Sequence, residues 1–266
     1  MSNNIKRYLV PATGPDVSKI ELALLKLESI CEELGGNKDA ILLIPTKNNL
    51  RGTSLETALG KDVADALYKG KSVKLNSGGN LKLETERTFR GLWRSDIILG
   101  VYVTKKMLNM IDDAKDAKAV IVVPWNIKDV KEWQMTWNPI LIGESENKSS
   151  PKKLIENPVV EEALKTLTKR VNLSTGLSHP SDRDAAIELF RILLKNNELF
   201  DPVAIRAWAI RNGWTSEGAD ELKDIAEGVL KGKRYRVSPY SSWAKDIIEQ
   251  LRDAAKTDKN KLIESG

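Results

Sequence analysis

The 266-residue chain has one cysteine, Cys31, and one histidine, His179. A single cysteine excludes an internal disulfide and suits a reducing compartment. A single histidine excludes any site that needs two imidazoles, and zinc sites built from several Cys and His ligands go with it. No run approaches the roughly 18 uncharged apolar residues of a membrane-crossing helix. The opening Met1 to Val10 has no apolar stretch before its first turn, so no secretory leader is expected. Charge of one sign is also scarce: 42 Lys and Arg stand against 37 Asp and Glu, a formal +5. With 41% apolar and 30% charged residues the composition is that of a globular chain, expected in the cytoplasm and off the membrane. The nucleotide fingerprints are missing too. There is no Gly-x-x-x-x-Gly-Lys-Ser/Thr run, and Gly14 is the only glycine after the first candidate strand. No cofactor and no metal are therefore expected.

What is present is an alternation, through residues 1 to 144, of short apolar runs and longer amphipathic stretches, the pattern of βα units on a mostly parallel, Rossmann-like sheet. Strands are expected at Tyr8 to Pro11, Ala40 to Ile44, Asp96 to Val103, Ala119 to Val123 and Pro139 to Gly143. Helices are expected at Lys19 to Leu34, Ser54 to Leu67, Lys105 to Ala114 and Asp129 to Trp137. Between Lys71 and Thr85, apolar Val73, Leu75, Leu81 and Leu83 flank Ser77-Gly78-Gly79-Asn80, which predicts an inserted β-hairpin. The composition then turns to Glu, Asn, Lys, Ser and Pro, so domains are drawn at 1–145 and 159–266 with a linker over 146–158. The second domain reads as smaller and all-helical: Glu161 to Val171, a helix opened by a Ser181–Asp184 capping box with apolar Ile187, Leu189, Phe190, Leu193 and Leu194, then Pro202 to Asn212, Thr215 to Leu230 and Trp243 to Ala255. The last eleven residues are expected to fray.

Ligands of open parallel sheets bind outside the carboxyl ends of the strands. Those ends read Pro11-Ala-Thr13-Gly14, Pro45-Thr46-Lys47-Asn48, Val103-Thr104-Lys105 and Pro124-Trp125. Hydroxyls, amides and two ammonium groups there suit an anion such as a phosphate, helped by helix N-termini. The same Thr and Asn also serve as the helix caps that every βα protein needs. Trp125, Trp133 and Trp137 fall close together, either packing on the sheet or presenting flat rings to a base. Asp16 and Asp96 are the candidate general bases. Ser-His or Cys-His catalysis has little to build on, since His179 precedes a helix in the other domain and Cys31 lies late in an amphipathic one.

Two of these segments resemble elements of the first RecA-like domain of superfamily 2 helicases. Leu43-Ile44-Pro45-Thr46-Lys47 is similar to the strand and Pro-Thr-Arg element that touches a nucleic-acid strand there, and Ser95 to Gly100 to the strand leading to the next contact. Ala119 to Trp125 departs from the family, having no Asp-Glu pair for magnesium. The resemblance implies nucleic-acid contact without that family's metal chemistry.

In the second domain, residues 202–230 have a helix-turn-helix-like layout with Gly213 in the turn. Arg206, Arg211, Lys231, Lys233, Arg234 and Arg236 are its candidate phosphate contacts. The second helix of the pair is acidic, with Glu217, Asp220, Glu221, Asp224 and Glu227, which disfavours a place in the major groove. The function expected from these residues is non-enzymatic: a nucleic-acid-associated or nucleotide-sensing protein whose partner is nucleic acid or a phosphorylated small molecule. An enzyme acting on a nucleotide or nucleoside-like substrate, with a carboxylate base, is the first alternative, and a protein-interaction module is the second.

Overall fold

The computed structural model describes residues 5–91, 96–143, 153–238 and 243–264, with side chains described as far as residue 257. Ser95 and most of the expected linker lie outside the described residues. The chain divides into two compact units, Met1–Lys152 and Lys153–Gly266.

Unit 1 is a seven-stranded sheet between two layers of helices. In chain order its elements are β1 (Lys6–Leu9), α1 (Val17–Glu33), β2 (Ala40–Ile44), α2 (Ser54–Leu59), α3 (Lys61–Tyr68), β3 (Val73–Lys74), β4 (Asn80–Thr85), β5 (Ile97–Val103), α4 (Lys105–Asp113), β6 (Ala119–Pro124), α5 (Lys131–Trp137) and β7 (Ile140–Leu141). The strand order is β3-β4-β2-β5-β6-β1-β7, and every pairing is parallel except β3 with β4. The central strands read AILLI, IILGVYV and AVIVVP and are buried throughout, because helices cover both faces of a parallel sheet. Residues facing one side, such as Leu42, Leu99 and Ile121, pack with Ile20 and Leu27 of α1, Leu55 of α2 and Leu67 of α3. The alternate residues, such as Leu43, Ile98 and Val122, pack with Met107 and Ile111 of α4 and Trp133 of α5. Fully burying one such side chain contributes about 1.5–3 kcal/mol, so Leu42→Ala, which also leaves a cavity, would cost about 2–5 kcal/mol.

The Rossmann-like α/β sheet matches the expectation from periodicity, with two differences. The hairpin is not an insertion: its second arm, β4, pairs parallel with β2 over Ala40 to Ile44 and belongs to the main sheet. The helix expected over Ser54 to Leu67 is two, because Gly60 sits at φ +81°, where only glycine is unstrained, and ends α2.

Unit 2 is helical: α6 (Pro158–Arg170), α7 (Pro180–Lys195), α8 (Pro202–Arg211), α9 (Ser216–Leu230) and α10 (Ile247–Glu264). The opening of α7 differs from the expected capping box. His179 is the cap, its ring nitrogen accepting from the Ser181 amide, Pro180 takes the first helical position, and Asp184 is buried. Of the expected apolar face of α7, Ile187, Leu189, Phe190 and Leu193 are buried, while Leu194 stays 40% exposed. The segment expected to fray is helical to Glu264. Ala204 to Ile210 of α8 are buried without interruption, so this helix is the centre of the unit. No helix among the described residues is long and apolar enough to cross a membrane.

Candidate functional site

The loops leaving the parallel strands stand in a row set by the strand order: Glu86 after β4, Thr46 after β2, Thr104 after β5, Trp125 after β6 and Thr13 after β1. Neighbouring strands are about 4.8 Å apart, so five exits span about 19 Å. The connections leave the row toward both faces of the sheet. After β2 the chain packs on the face of α1 through Leu50 and Leu55, and after β5 it packs on the other face through Met107 and Leu108. The same divergence occurs between β1 and β6, but there the loops are stitched together. Thr13 and Asn126 form an antiparallel bridge, and the Gly14 amide donates to the Trp125 carbonyl at 2.7 Å. The exits of β2 and β5 carry the other switch of connection, the place where an open parallel sheet favours a ligand site.

Tyr102 marks the exit of β5. The ladder with β6 slips between Val101 and Val103, a bulge that turns Tyr102 onto the same face as Val101. Its φ is +57°, the left-handed region, which costs a bulky residue about 1–3 kcal/mol and persists only where the surroundings hold it. The ring is buried to 5% exposure, and its hydroxyl oxygen has no hydrogen-bond partner among the described residues. Trp125 stands edge-on to it with ring centroids 5.3 Å apart and planes inclined by 72°, and remains 49% exposed. Neither the strain nor this pairing shows in residue type or spacing; the one trace in the sequence is a long aromatic-bearing strand ending in Tyr-Val-Thr.

Thr46 and Thr104 stand at caps, and Thr104 does more. Thr104 accepts from the Met107 amide at 3.2 Å and donates its hydroxyl to Glu86 Oε1 at 2.5 Å. Lys106 Nζ lies 3.7 Å from the other Glu86 oxygen. The positive end of α4 is thus already faced by the chain's own carboxylate, a placement the sequence does not signal. Lys105 is exposed beside it. Thr46 closes a short 3-10 turn, Lys47–Leu50: its amide and hydroxyl donate to Asn49 Oδ1 at 3.0 and 2.8 Å. Lys47 leans toward α3, its Nζ 3.5 Å from the Tyr68 carbonyl and 5.9 Å from the Tyr68 ring, while Asn48 is exposed.

The two candidate bases part ways. Asp16 caps α1, accepting from the Ser18 hydroxyl at 2.7 Å and the Lys19 amide at 3.2 Å, and these bonds hold its pKa below the ordinary aspartate value. A carboxylate held that way is a weak proton acceptor. Asp96 stands at the amino end of β5, its carbonyl taking the Lys118 amide at 2.7 Å, so it lies on the edge opposite Thr104. A cavity of about 520 Å³ lined by Lys6, Glu33, Lys115 and Lys118 also lies on that amino edge. Trp133 and Trp137 are packing residues: both indoles donate to buried Asp112, at 3.0 and 2.8 Å, and the Arg7 guanidinium lies 3.3 Å from the Trp137 ring centre.

In unit 2 the expected phosphate contacts also divide. Arg206 is 5% exposed and its Nε donates to Asp220, which corrects its reading as a phosphate contact: a guanidinium buried on the central helix needs a partner, and the acidic α9 supplies one. Burial lowers the pKa of the Arg211 guanidinium. Lys231 pairs with Glu227 at 3.2 Å, and Lys233, Arg234 and Arg236 are exposed. Of the other acids of α9, Glu221 accepts from the Leu177 amide at 3.1 Å.

Residues 156–252 match the model of a family described as a domain of unknown function, DUF1889. A solved structure to which the chain is similar is that of the second domain of the DEAD-box helicase Mss116p bound to an RNA duplex, at 13% identity and a TM-score of 0.32, covering 89% of this chain and 100% of that one. No curated protein matches the chain.

Proposed function

We propose that the protein is a non-enzymatic, nucleic-acid-associated or nucleotide-sensing protein that holds a nucleotide unit at the carboxyl edge of the unit 1 sheet. The observation that carries this reading is the Tyr102–Trp125 pair: a strained, buried tyrosine supporting a half-exposed indole at the mouth of a parallel sheet. Strain of this kind is kept where a site needs it, and an exposed indole beside cations is how bases are stacked and phosphates drawn in. Lys105 and Lys47 supply the cations on either side of the β2/β5 switch, with Thr46, Asn48 and Thr104 at its rim and Thr13 and Gly14 farther along the edge, beyond Trp125. The binding is read as base stacking plus charge, since Glu86 already faces the end of α4 and leaves it a poor phosphate cradle.

A fluorescence titration with mononucleotides and trinucleotides tests this reading. Stacking on Trp125 should quench part of the tryptophan emission, Trp125→Ala should remove the response, and Lys105→Ala should weaken it about 3- to 10-fold. Unchanged emission with every nucleotide refutes it. The enzyme alternative keeps one specific support, the Glu86 carboxylate at the same edge, and would show as nucleotide turnover lost in Glu86→Gln.

A further inference from the structure

A second surface, in unit 2, has the chemistry of a phosphate-backbone reader. Tyr235, within the segment from Lys231 to Arg236, sits against α7. Arg183 places its guanidinium 5.5 Å from the Tyr235 ring, Lys233 places its ammonium 5.1 Å from the same ring, and Arg191 Nη2 donates to the Tyr235 carbonyl at 2.8 Å. On its other side Tyr235 is seated against α9, its hydroxyl 3.5 Å from the Asp224 carbonyl and its ring over Gly228, where any Cβ would overlap the phenol. A basic strip that would wander if left as a solvated loop is thus held at one point by aromatic packing and a hydrogen bond. Arg183 and Arg191 are eight residues apart, which puts them about 12 Å apart along the helix axis. Arg183, Arg191, Lys233, Arg234 and Arg236 are all exposed, and Arg234 and Arg236 form no ion pair among the described residues.

We infer that Arg183 and Arg191 of α7, with Lys233, Arg234 and Arg236, form a docking face for the phosphodiester backbone of a nucleic acid, read without regard to base sequence. This rests on the nucleic-acid reading given above. Four of the five cations are guanidinium forks, which match phosphate oxygens two at a time. The strip holds no Asn or Gln, the usual adenine readers, so the contact is one of charge and position. A lipid surface fits less well, because the strip's one large apolar side chain, Tyr235, is turned onto α9 and leaves no wedge to enter a bilayer.

Anisotropy of a labelled short RNA or DNA duplex, titrated with the full chain between about 50 and 200 mM salt, tests the face. The wild type should lose affinity steeply with salt, Arg234→Ala with Arg236→Ala should make the log–log slope shallower by about two, and lysine at both positions should restore it. The inference is overturned by an unchanged slope in the alanine pair, by no duplex binding at the lowest salt, or by sedimentation with phosphatidylserine vesicles in the absence of duplex binding. Trp125→Ala should leave the duplex slope alone. A nucleotide response lost with the duplex slope intact therefore removes the sheet-edge reading only, and the reverse result removes this face only.

Discussion

Tyr102 and Trp125 form a T-shaped ring pair, centroids 5.3 Å apart, with Tyr102 in a backbone conformation that a tyrosine adopts only under constraint. The bulge in β5 is what links the two: by adding one residue against β6 it turns Tyr102 onto the face of Val101 and brings its ring to the exit of the neighbouring strand. Half of Trp125 is left to solvent at the exit of β6, one strand from the exit of β5 and two from that of β2.

Tyr102→Phe should stabilise the protein. It removes a buried hydroxyl that finds no partner among the described residues, and an unmet buried polar group costs about 1–3 kcal/mol. A gain of about 1 kcal/mol, read as a higher urea midpoint at unchanged slope, is expected. A loss of that size would mean that the hydroxyl is bonded.

Asp16 predicts an acid-limb effect of known sign. Its carboxylate has a lower pKa folded than unfolded, because Ser18 and the Lys19 amide bond to the charged form. Its contribution is therefore complete above the unfolded value of about 3.9 and is lost as pH falls through the folded value. Melting curves of wild type and Asp16→Ala should be separated at neutral pH and converge as the pH falls through the folded value. A gap that widens on acidification would contradict the capping role.

The sheet was legible in the sequence because parallel strands buried on both faces must be apolar at every position, and Ala40 to Ile44 or Ala119 to Val123 admit few other readings. The four loops at its carboxyl edge were legible for the same reason. What residue type does not encode is where long side chains end: Glu86 reaching the Thr104 hydroxyl, Lys47 leaning to Tyr68, or Arg206 turning inward to Asp220. Asp96 was misleading because it precedes β5, whereas the ligand edge follows it. A positive φ at Tyr102 comes from the tertiary ladder and has no local signature.

The Arg206–Asp220 pair should matter to folding. Asp220→Ala takes away one partner of a guanidinium buried on α8, and removing one partner of a buried pair costs about 3 kcal/mol where, as with Asp220 at 35% exposure, solvent reaches that partner. Replacing both, as Arg206→Met with Asp220→Leu, should cost less than the sum of the single changes in a urea double-mutant cycle. Neither change should alter the salt slope of duplex binding.

Gly228→Ala should separate the basic strip from its anchor. The added methyl overlaps the Tyr235 phenol, a side chain that can swing away, so the helix should survive with alanine's better propensity while Tyr235 leaves its seat. Weaker duplex binding, about 3- to 10-fold, with a melting temperature within a few degrees of wild type is the expected pair of results. Unchanged binding would show that the seat of Tyr235 does not position Arg234 and Arg236.

The most direct test of nucleotide binding at the sheet edge is photo-crosslinking of a 4-thiouridine trinucleotide to the full chain, with the adduct mapped by mass spectrometry. Adducts on Trp125 or the peptide holding Tyr102 and Lys105, suppressed by excess unlabelled trinucleotide, are predicted. Adducts confined to residues 153–266, or none that competitor suppresses, would contradict the assignment of the site to the exits of β2, β5 and β6.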